Sequence, residues 1–548
     1  MRREVKYGLI GGSAALVAGV VGGFALFGGG GDDTSASGVT AADAKNGGAG
    51  AKAGPATAQE ITTTSRDFLT AWQSADATKA AGLTDDPASA KAALASFAKE
   101  THFRNLTVKP GAPNGDKVPY TVTAQISYQG HQAPYSYTSA LHVRRDGATG
   151  EPRVNWNLAV LHPSLTKGDT LRTGPAGTAP INAVDRNGKP LTAEDHPELA
   201  GVLGSLREKF GGKAGGTPGI ELAVHHAADG KKAKPDTTLK VLSKGTPGTL
   251  KTTLDLTLQE IAQKQVDARK NASAVALKPS TGEILALAHS PAKGFNVATG
   301  GSLAPGSTMK IVTAALLMDK GLTSPEKQHP CPKYMKVAGW KFHNDQMSEI
   351  PHGTFAQSFA ASCNNAFIGE AKNLNNDDLT VEARDVFGIG LNWQTGIPTF
   401  DGIVPVQDGA QMGASLIGQG GVRMNPLNVA SLAATAQSGV FRQPYLVSPD
   451  VDHRKLATAA RKMKPKTAAG LKSLMRTTAV AGTAVKPMAG LSGDIGAKTG
   501  SAEVDNQKKP NAWFTAYRND MAAAALVPAS GHGGDNAGPV VRALLSAG

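Results

Sequence analysis

Pro305-Gly-Ser-Thr-Met-Lys310, continuing into Ile311-Val-Thr-Ala-Ala-Leu-Leu-Met318, is the stretch on which the reading of this 548-residue chain turns. Pro305-Gly306 breaks the preceding structure, and the apolar run after it has the make-up of a buried helix. Ser307 therefore falls at a helix N-terminus, where unpaired backbone N–H groups and the helix dipole favour a developing negative charge. Lys310 lies on the same face, one turn in. A lysine buried beside a second cation loses its proton readily, and the free amine can serve as base for a hydroxyl. Alone the Ser-x-x-Lys pattern says little, since it recurs at Ser96/Lys99, Ser164/Lys167, Ser290/Lys293 and Ser324/Lys327. By itself it reads as a helix cap with a solvated lysine.

Two elements downstream change that. Ser362-Cys-Asn364 is the one Ser-x-Asn in the chain, 55 residues after Ser307, and Lys498-Thr-Gly500 is the one Lys-Thr-Gly, 136 residues after Ser362. The latter sits in Gly496-Ala-Lys-Thr-Gly-Ser-Ala-Glu503, predicted as a glycine-flanked strand beside a cleft. Strand alternation places Lys498 and Gly500 on one face, and Gly500 is read as room for a substrate backbone.

In this order Ser307-x-x-Lys310, Ser362-x-Asn364 and Lys498-Thr-Gly500 resemble the three motifs of penicillin-binding proteins and serine β-lactamases. Their surroundings narrow the likeness. Thr252-Thr-Leu-Asp-Leu-Thr-Leu-Gln259, Ala274–Leu287, Gly418-Gln-Gly420 with Asn425-Pro426, and Asn511-Ala-Trp-Phe514 resemble the transpeptidase domain of class B penicillin-binding proteins, over about residues 250–548. Residues 171–250 are more loosely similar to the pedestal or dimerisation region of that class, and 58–165 to the nuclear-transport-factor-like extension of some members. The resemblance implies a D,D-transpeptidase that cross-links peptidoglycan stem peptides through a serine acyl-enzyme and is acylated by β-lactams. It implies Ser307 as nucleophile, Lys310 as its base, Ser362 as proton relay to the leaving amine and Asn364 as holder of the substrate amide. Lys498 and Thr499, with Gly500 beside them, would bind the terminal carboxylate. The backbone N–H groups of Ser307 and Ser501 would form the oxyanion hole. No cofactor is implied. The first 250 residues carry no glycosyltransferase motif, which argues against a bifunctional class A enzyme and makes a separate glycosyltransferase a candidate partner.

The length exceeds what one core sustains, so several domains are expected. Arg2, Arg3 and Lys6 precede an uncharged run, 8–27, long enough to span a bilayer as a helix with the remainder outside the cytoplasm. Six glycines in that run keep a cleaved signal peptide as the rival reading. The expected organisation is a tail and single transmembrane helix (1–28), a Gly/Ala/Ser-rich tether (29–57), a small α+β domain (58–165), a mostly-β pedestal (166–250), and a large α/β transpeptidase domain (251–548). The last is expected to be β-lactamase-like, an antiparallel sheet with helices on both faces. Within the small domain, Thr62–Ser65 are read as capping a helix that carries Phe68, Leu69 and Trp72. Strands are read around Val122–Tyr128, Tyr135–Leu141 and Val154–Val160. In the large domain a helix is predicted over Leu254–Ala268 and strands over Ser273–Leu277 and Glu283–Ala288.

Two cysteines exclude a four-cysteine metal site. Outside the cytoplasm Cys331 and Cys363 are free to pair, closing a loop worth ~3 kcal/mol by loop entropy and tethering the Ser362 segment; two independent buried thiols are the alternative. His329, His343 and His225-His226 read as turn or core histidines and not as a metal site. The basic run Arg454–Lys466 reads as a solvated helix face. The excess of 57 basic over 44 acidic residues, +13, fits an anionic cell envelope. Export and the lack of a nucleic-acid motif argue against nucleic acid as a partner. The competing functions are a hydrolase (serine β-lactamase or D,D-carboxypeptidase) and a non-catalytic β-lactam sensor or scaffold.

Overall fold

The computed structural model describes residues 54–227 and 236–548. The segment read as a membrane span and nearly all of the tether lie outside the described residues. Among those described, no helix is long and apolar enough to cross a membrane. The chain forms two compact units, Thr178–Thr217 with Thr246–Gly548, and the described part of Gly12–Gly177 with Pro218–Gly245.

The larger unit is built on a five-stranded antiparallel sheet in the order Ile284–His289, Ser273–Leu277, Met521–Val527, Asn511–Arg518, Ile495–Ala502. The two inner strands that meet, Ser273–Leu277 and Met521–Val527, are buried along their whole length. That fits their sequences, which are apolar without alternation, as in a strand covered on both faces. Alternate residues serve opposite cores. Val275, Leu277, Ala524 and Leu526 join the helices Lys310–Asp319 and Pro426–Ser438, while Ala274, Ala276, Ala523 and Ala525 join Leu256–Asp267 and Gly538–Ala547. Alanine at 522–525 lets the helices approach closely. Lys310–Asp319 is buried from Lys310 to Leu317, as a helix with apolar residues on every side must be. The strand Ile495–Ala502, which carries the third motif, ends the strand order and pairs with one neighbour only.

The smaller unit packs the helices Ala58–Gln73, Ala77–Gly82 and Pro87–Glu100 against a four-stranded antiparallel sheet of Phe103–Pro110, Lys117–Tyr128, His131–Arg145 and Pro152–Val154. Trp72 is the hub of its core, meeting Phe97 and Tyr120 edge-on. The first helix starts five residues earlier than the cap read at Thr62. Thr57 and Glu60 form a reciprocal capping box, and Thr62 lies inside the helix, its hydroxyl donating to Ala58 O at 2.8 Å. The strand expected over Val154–Val160 stops at Val154 and gives way to a 3-10 turn, Leu158–Val160. Side chains replace the ladder there: Asp85 accepts from Trp156 N at 2.7 Å, Ser139 donates to Ala159 O at 2.6 Å, and the Tyr120 and Tyr137 hydroxyls donate to Val160 O and Leu161 O.

The stretch 166–250 divides between the units. Ile181–Val184 runs parallel to Gly248–Lys251, and Leu199, Leu206 and Phe210 enter the large core. Thr170–Pro175, Ile220–His225 and Thr237–Ser243 form a three-stranded sheet whose Leu171 and Val224 enter the small one. Neither piece has enough apolar surface for a core of its own. The basic run is also not a helix face. The helix begins only at Pro465, and Lys464 before it is extended, as a residue preceding proline prefers. Arg454 is paired with Asp452 at 2.6 Å, and Arg461 spans Asp319 at 2.8 Å and Glu382 at 2.6 Å.

Candidate active site

The first motif opens as a 3-10 turn, Gly306–Met309, that runs straight into the helix Lys310–Asp319. Gly306 has φ 53°, and a Cβ there would stand 2.7 Å from Ser501 O. Glycine therefore lets the turn lie against the end of the strand Ile495–Ala502, which brings the backbones of Ser307 and Ser501 together. Gly306 N donates to Gly418 O at 3.0 Å, bracing the turn from the Gly418-Gln-Gly420 loop. Ser307 is 9% exposed, just reachable from solvent.

Lys310 is fully buried. Its Nζ lies 2.9 Å from Ser307 Oγ, 2.7 Å from Ser362 O and 2.7 Å from Asn364 Oδ1. Desolvation, and then the charge of Lys498, hold its pKa well below the ordinary lysine value. The two carbonyl oxygens can only accept. A neutral amine therefore keeps its two N–H groups on them and turns its lone pair to the Ser307 hydroxyl. The geometry thus selects which of the three hydrogen bonds reverses when the proton leaves.

Ser362 lies between the short helices Phe355–Ala360 and Asn365–Ile368 with φ 58°, a left-handed conformation unusual for serine. Its Oγ accepts from Lys498 Nζ at 2.8 Å, and Lys498 also donates to Thr499 O at 3.0 Å. Burial lowers the Lys498 pKa to about 7. One buried lysine therefore serves each hydroxyl: Lys310 lies on Ser307 Oγ and Lys498 on Ser362 Oγ. Thr499 shares a 2.6 Å hydrogen bond with the hydroxyl of Thr483. The space a Cβ would take at Gly500 is filled by Thr308 Cγ2 and Trp513 Cβ at 3.0 Å and Pro305 O at 3.1 Å. That is a close internal contact between strand and first motif, where the sequence reading had placed room for substrate.

Ser307, Lys310, Ser362, Asn364, Lys498, Thr499, Gly500 and Ser501 thus meet in one place. Cys331 and Cys363 are bonded, with Cα atoms 6.0 Å apart, so the bridge holds the residue between Ser362 and Asn364. Sequence reasoning missed Thr483 and the rings of Phe367 and Phe359, each 5.5 Å from the Lys310 and Lys498 ammonium nitrogens respectively. No spacing rule ties Thr483 to Thr499, and the two rings stand in stretches of mixed polarity, Phe355-Ala-Gln-Ser-Phe359 and Asn364-Asn-Ala-Phe367, that carry no signal for them. His329 lies on Ala366 O at 2.9 Å and near Glu370 at 3.4 Å, and His343 on Asn344 O. Among the described residues no three His, Cys, Asp or Glu side chains gather as metal ligands.

Comparison with known proteins follows the same lines. The family model described as penicillin binding protein transpeptidase domain matches residues 272–546, and that of an NTF2-like N-terminal transpeptidase domain matches 59–169. The chain is 29% identical over 362 residues to the peptidoglycan D,D-transpeptidase PbpA of Mycolicibacterium smegmatis, covering 55% of this chain and 72% of that protein. To PbpA of Mycobacterium tuberculosis it is 29% identical over 327 residues, covering 50% and 66%. The crystal structure of PBPA from Mycobacterium tuberculosis superposes with a TM-score of 0.50 at 27% identity, covering 55% of this chain and 81% of that one. Pseudomonas aeruginosa PBP2, solved in complex with WCK 5153, superposes at 0.53 with 20% identity, over 68% and 96%, a likeness of fold.

Proposed function

This chain belongs to the penicillin binding protein transpeptidase family, and from that premise we propose that it is a class B D,D-transpeptidase of peptidoglycan synthesis with Ser307 as its nucleophile. The observation that carries this reading is the set of hydrogen bonds, 2.7 to 2.9 Å long, from Lys310 Nζ to Ser307 Oγ, Ser362 O and Asn364 Oδ1 and from Lys498 Nζ to Ser362 Oγ, around a Lys310 held below its ordinary pKa.

In the proposed reaction a stem peptide ending in D-Ala-D-Ala places its carboxylate against Lys498 and Thr499, with Asn364 on its amide. Ser307 Oγ attacks the carbonyl carbon of the penultimate residue while its proton passes to Lys310 Nζ. The oxyanion that forms is held by the N–H groups of Ser307 and Ser501, which are brought together by Gly306. The C–N bond breaks, the proton reaches the leaving nitrogen by way of Ser362, and D-alanine departs. A second stem peptide's amine then attacks the ester, gives up a proton and frees Ser307, leaving a cross-link. A β-lactam enters the same first step and stays attached as the acyl-enzyme.

The run 8–27 with its preceding basic residues is read as the anchor of a catalytic unit outside the cytoplasm. The Cys331–Cys363 bridge supports that side of the membrane, since such bonds persist in oxidising surroundings. A separate glycosyltransferase is the proposed partner. The test is a pentapeptide substrate offered with an acceptor amine: a cross-linked product, one D-alanine released per link, and loss of both in Ser307→Ala are expected. Release of D-alanine with hydrolysed tetrapeptide only would assign a carboxypeptidase instead.

A further inference from the structure

We propose that Asn344 is the positioning residue of the Ser362–Asn364 motif, an assignment that rests on the transpeptidase reading above. Asn344 follows an exposed hairpin, Tyr334–Val337 with Trp340–His343, yet it is 1% exposed. Every hydrogen-bonding capacity of its amide is used. Oδ1 accepts from Asn364 N and Asn365 N, both at 3.0 Å. Nδ2 donates to Pro332 O at 2.9 Å and Ser348 O at 2.7 Å. Two donors and two lone pairs are all that a side-chain amide has. Asn365 returns the contact from the other side, its Nδ2 donating to Pro332 O at 2.8 Å and Lys333 O at 3.0 Å.

The peptide planes gripped in this way are the ones that matter. They join Cys363 to Asn364 and Asn364 to Asn365, beginning one residue past Ser362, whose left-handed backbone is unfavourable for a residue with a Cβ and persists only where neighbours over-determine it. Asn364, between these planes, reaches Lys310 through Oδ1 at 2.7 Å, and the Ser362 carbonyl just before them reaches it at 2.7 Å as well. The disulfide ties Cys331, just before the hairpin, to Cys363 through a side chain, whereas the Asn344 amide holds the N–H groups of the two peptides that follow Cys363. Alanine at 344 would leave the N–H groups of Asn364 and Asn365 without their acceptor. Aspartate would keep the acceptor side but turn a carboxylate oxygen on two carbonyls. Asn344 does not reach the reacting atoms, so it acts through the motif.

The full chain is labelled with a fluorescent penicillin, and three quantities are read for wild type, Asn344→Ala and Asn344→Asp: the acylation rate constant, the final label per chain and the thermal midpoint. The expected result is near-complete final labelling with an acylation rate constant about 10- to 100-fold lower in both variants, the scale at which small misplacements of reacting groups act. A purely structural role would lower the final label and leave the rate of the folded fraction unchanged, which would overturn the assignment. Wild-type rates in folded variants would overturn it as well, and so would failure of both variants to fold, which would give Asn344 to the fold and not to the site. If wild type itself takes no label, the transpeptidase reading fails and the assignment falls with it, a different result from the others.

Discussion

Lys310 and Lys498 are buried lysines that do different things with their lowered pKa values. Lys310 is proposed to act as a base, so acylation needs its neutral form. The rate constant for β-lactam acylation should therefore already be high near neutral pH and fall as the solution is acidified, without waiting for the ordinary lysine range; a rate that climbs only above pH 10 would contradict this. Lys498 has a stability consequence. Unfolded it holds a proton up to about pH 10.4, and folded only up to about 7. Between those values the unfolded state binds more protons, so stability rises with pH there, and at or below pH 7 the wild type carries the full penalty, on the order of 5 kcal/mol. Replacing Lys498 by Met removes that dependence. The melting temperature of Lys498→Met relative to wild type should be highest at or below pH 7 and decline toward pH 10, which thermal melts across pH will show. These residues were legible in sequence because three short patterns in fixed order single them out. Thr483 and Asn344 were not, because each reaches its partner across a sequence separation that follows no helix or strand period.

At the scale of elements, the strand with the third motif and the turn with the first are fitted together through glycine. A Cβ at Gly500 would press on Thr308, Trp513 and the Pro305 carbonyl at 3.0–3.1 Å. Gly500→Ala should destabilise by about 1–3 kcal/mol and slow acylation, read by melting and labelling together. Cys331, just before the hairpin, is bridged to Cys363 in the second motif over a separation of 32 residues. Replacing both cysteines by alanine should lower stability by about 3 kcal/mol on the loop-entropy scale and make melting insensitive to reductant. Elements with a clean signal were read to within two residues: the expected helix Leu254–Ala268 is Leu256–Asp267, and the strand Ser273–Leu277 is found as such. The misreadings have two sources. At Val160 and along Arg454–Lys464, tertiary hydrogen bonds or ion pairs set the backbone where local composition suggested otherwise, while at Thr57 a local capping box with Glu60 starts the helix earlier.

At the scale of the whole molecule, the chain is a catalytic unit on a buried antiparallel sheet and a smaller unit with an NTF2-like match. Residues 166–250 are shared between the two, so a deletion aimed at a separate pedestal should cut into both cores and yield no soluble protein, which expression of that deletion will test. A chain starting at Gly54 should leave the membrane fraction yet keep the acylation rate of the full protein, since the site draws only on Gly306 and later residues. The central claim is that Ser307 becomes the acyl-enzyme. Its most direct measurement is mass mapping of the peptide modified by a fluorescent penicillin, with wild type beside Ser307→Ala. The account predicts one adduct per chain, on the peptide holding Ser307, and none in the variant; an adduct on another residue, or full labelling of Ser307→Ala, would contradict it.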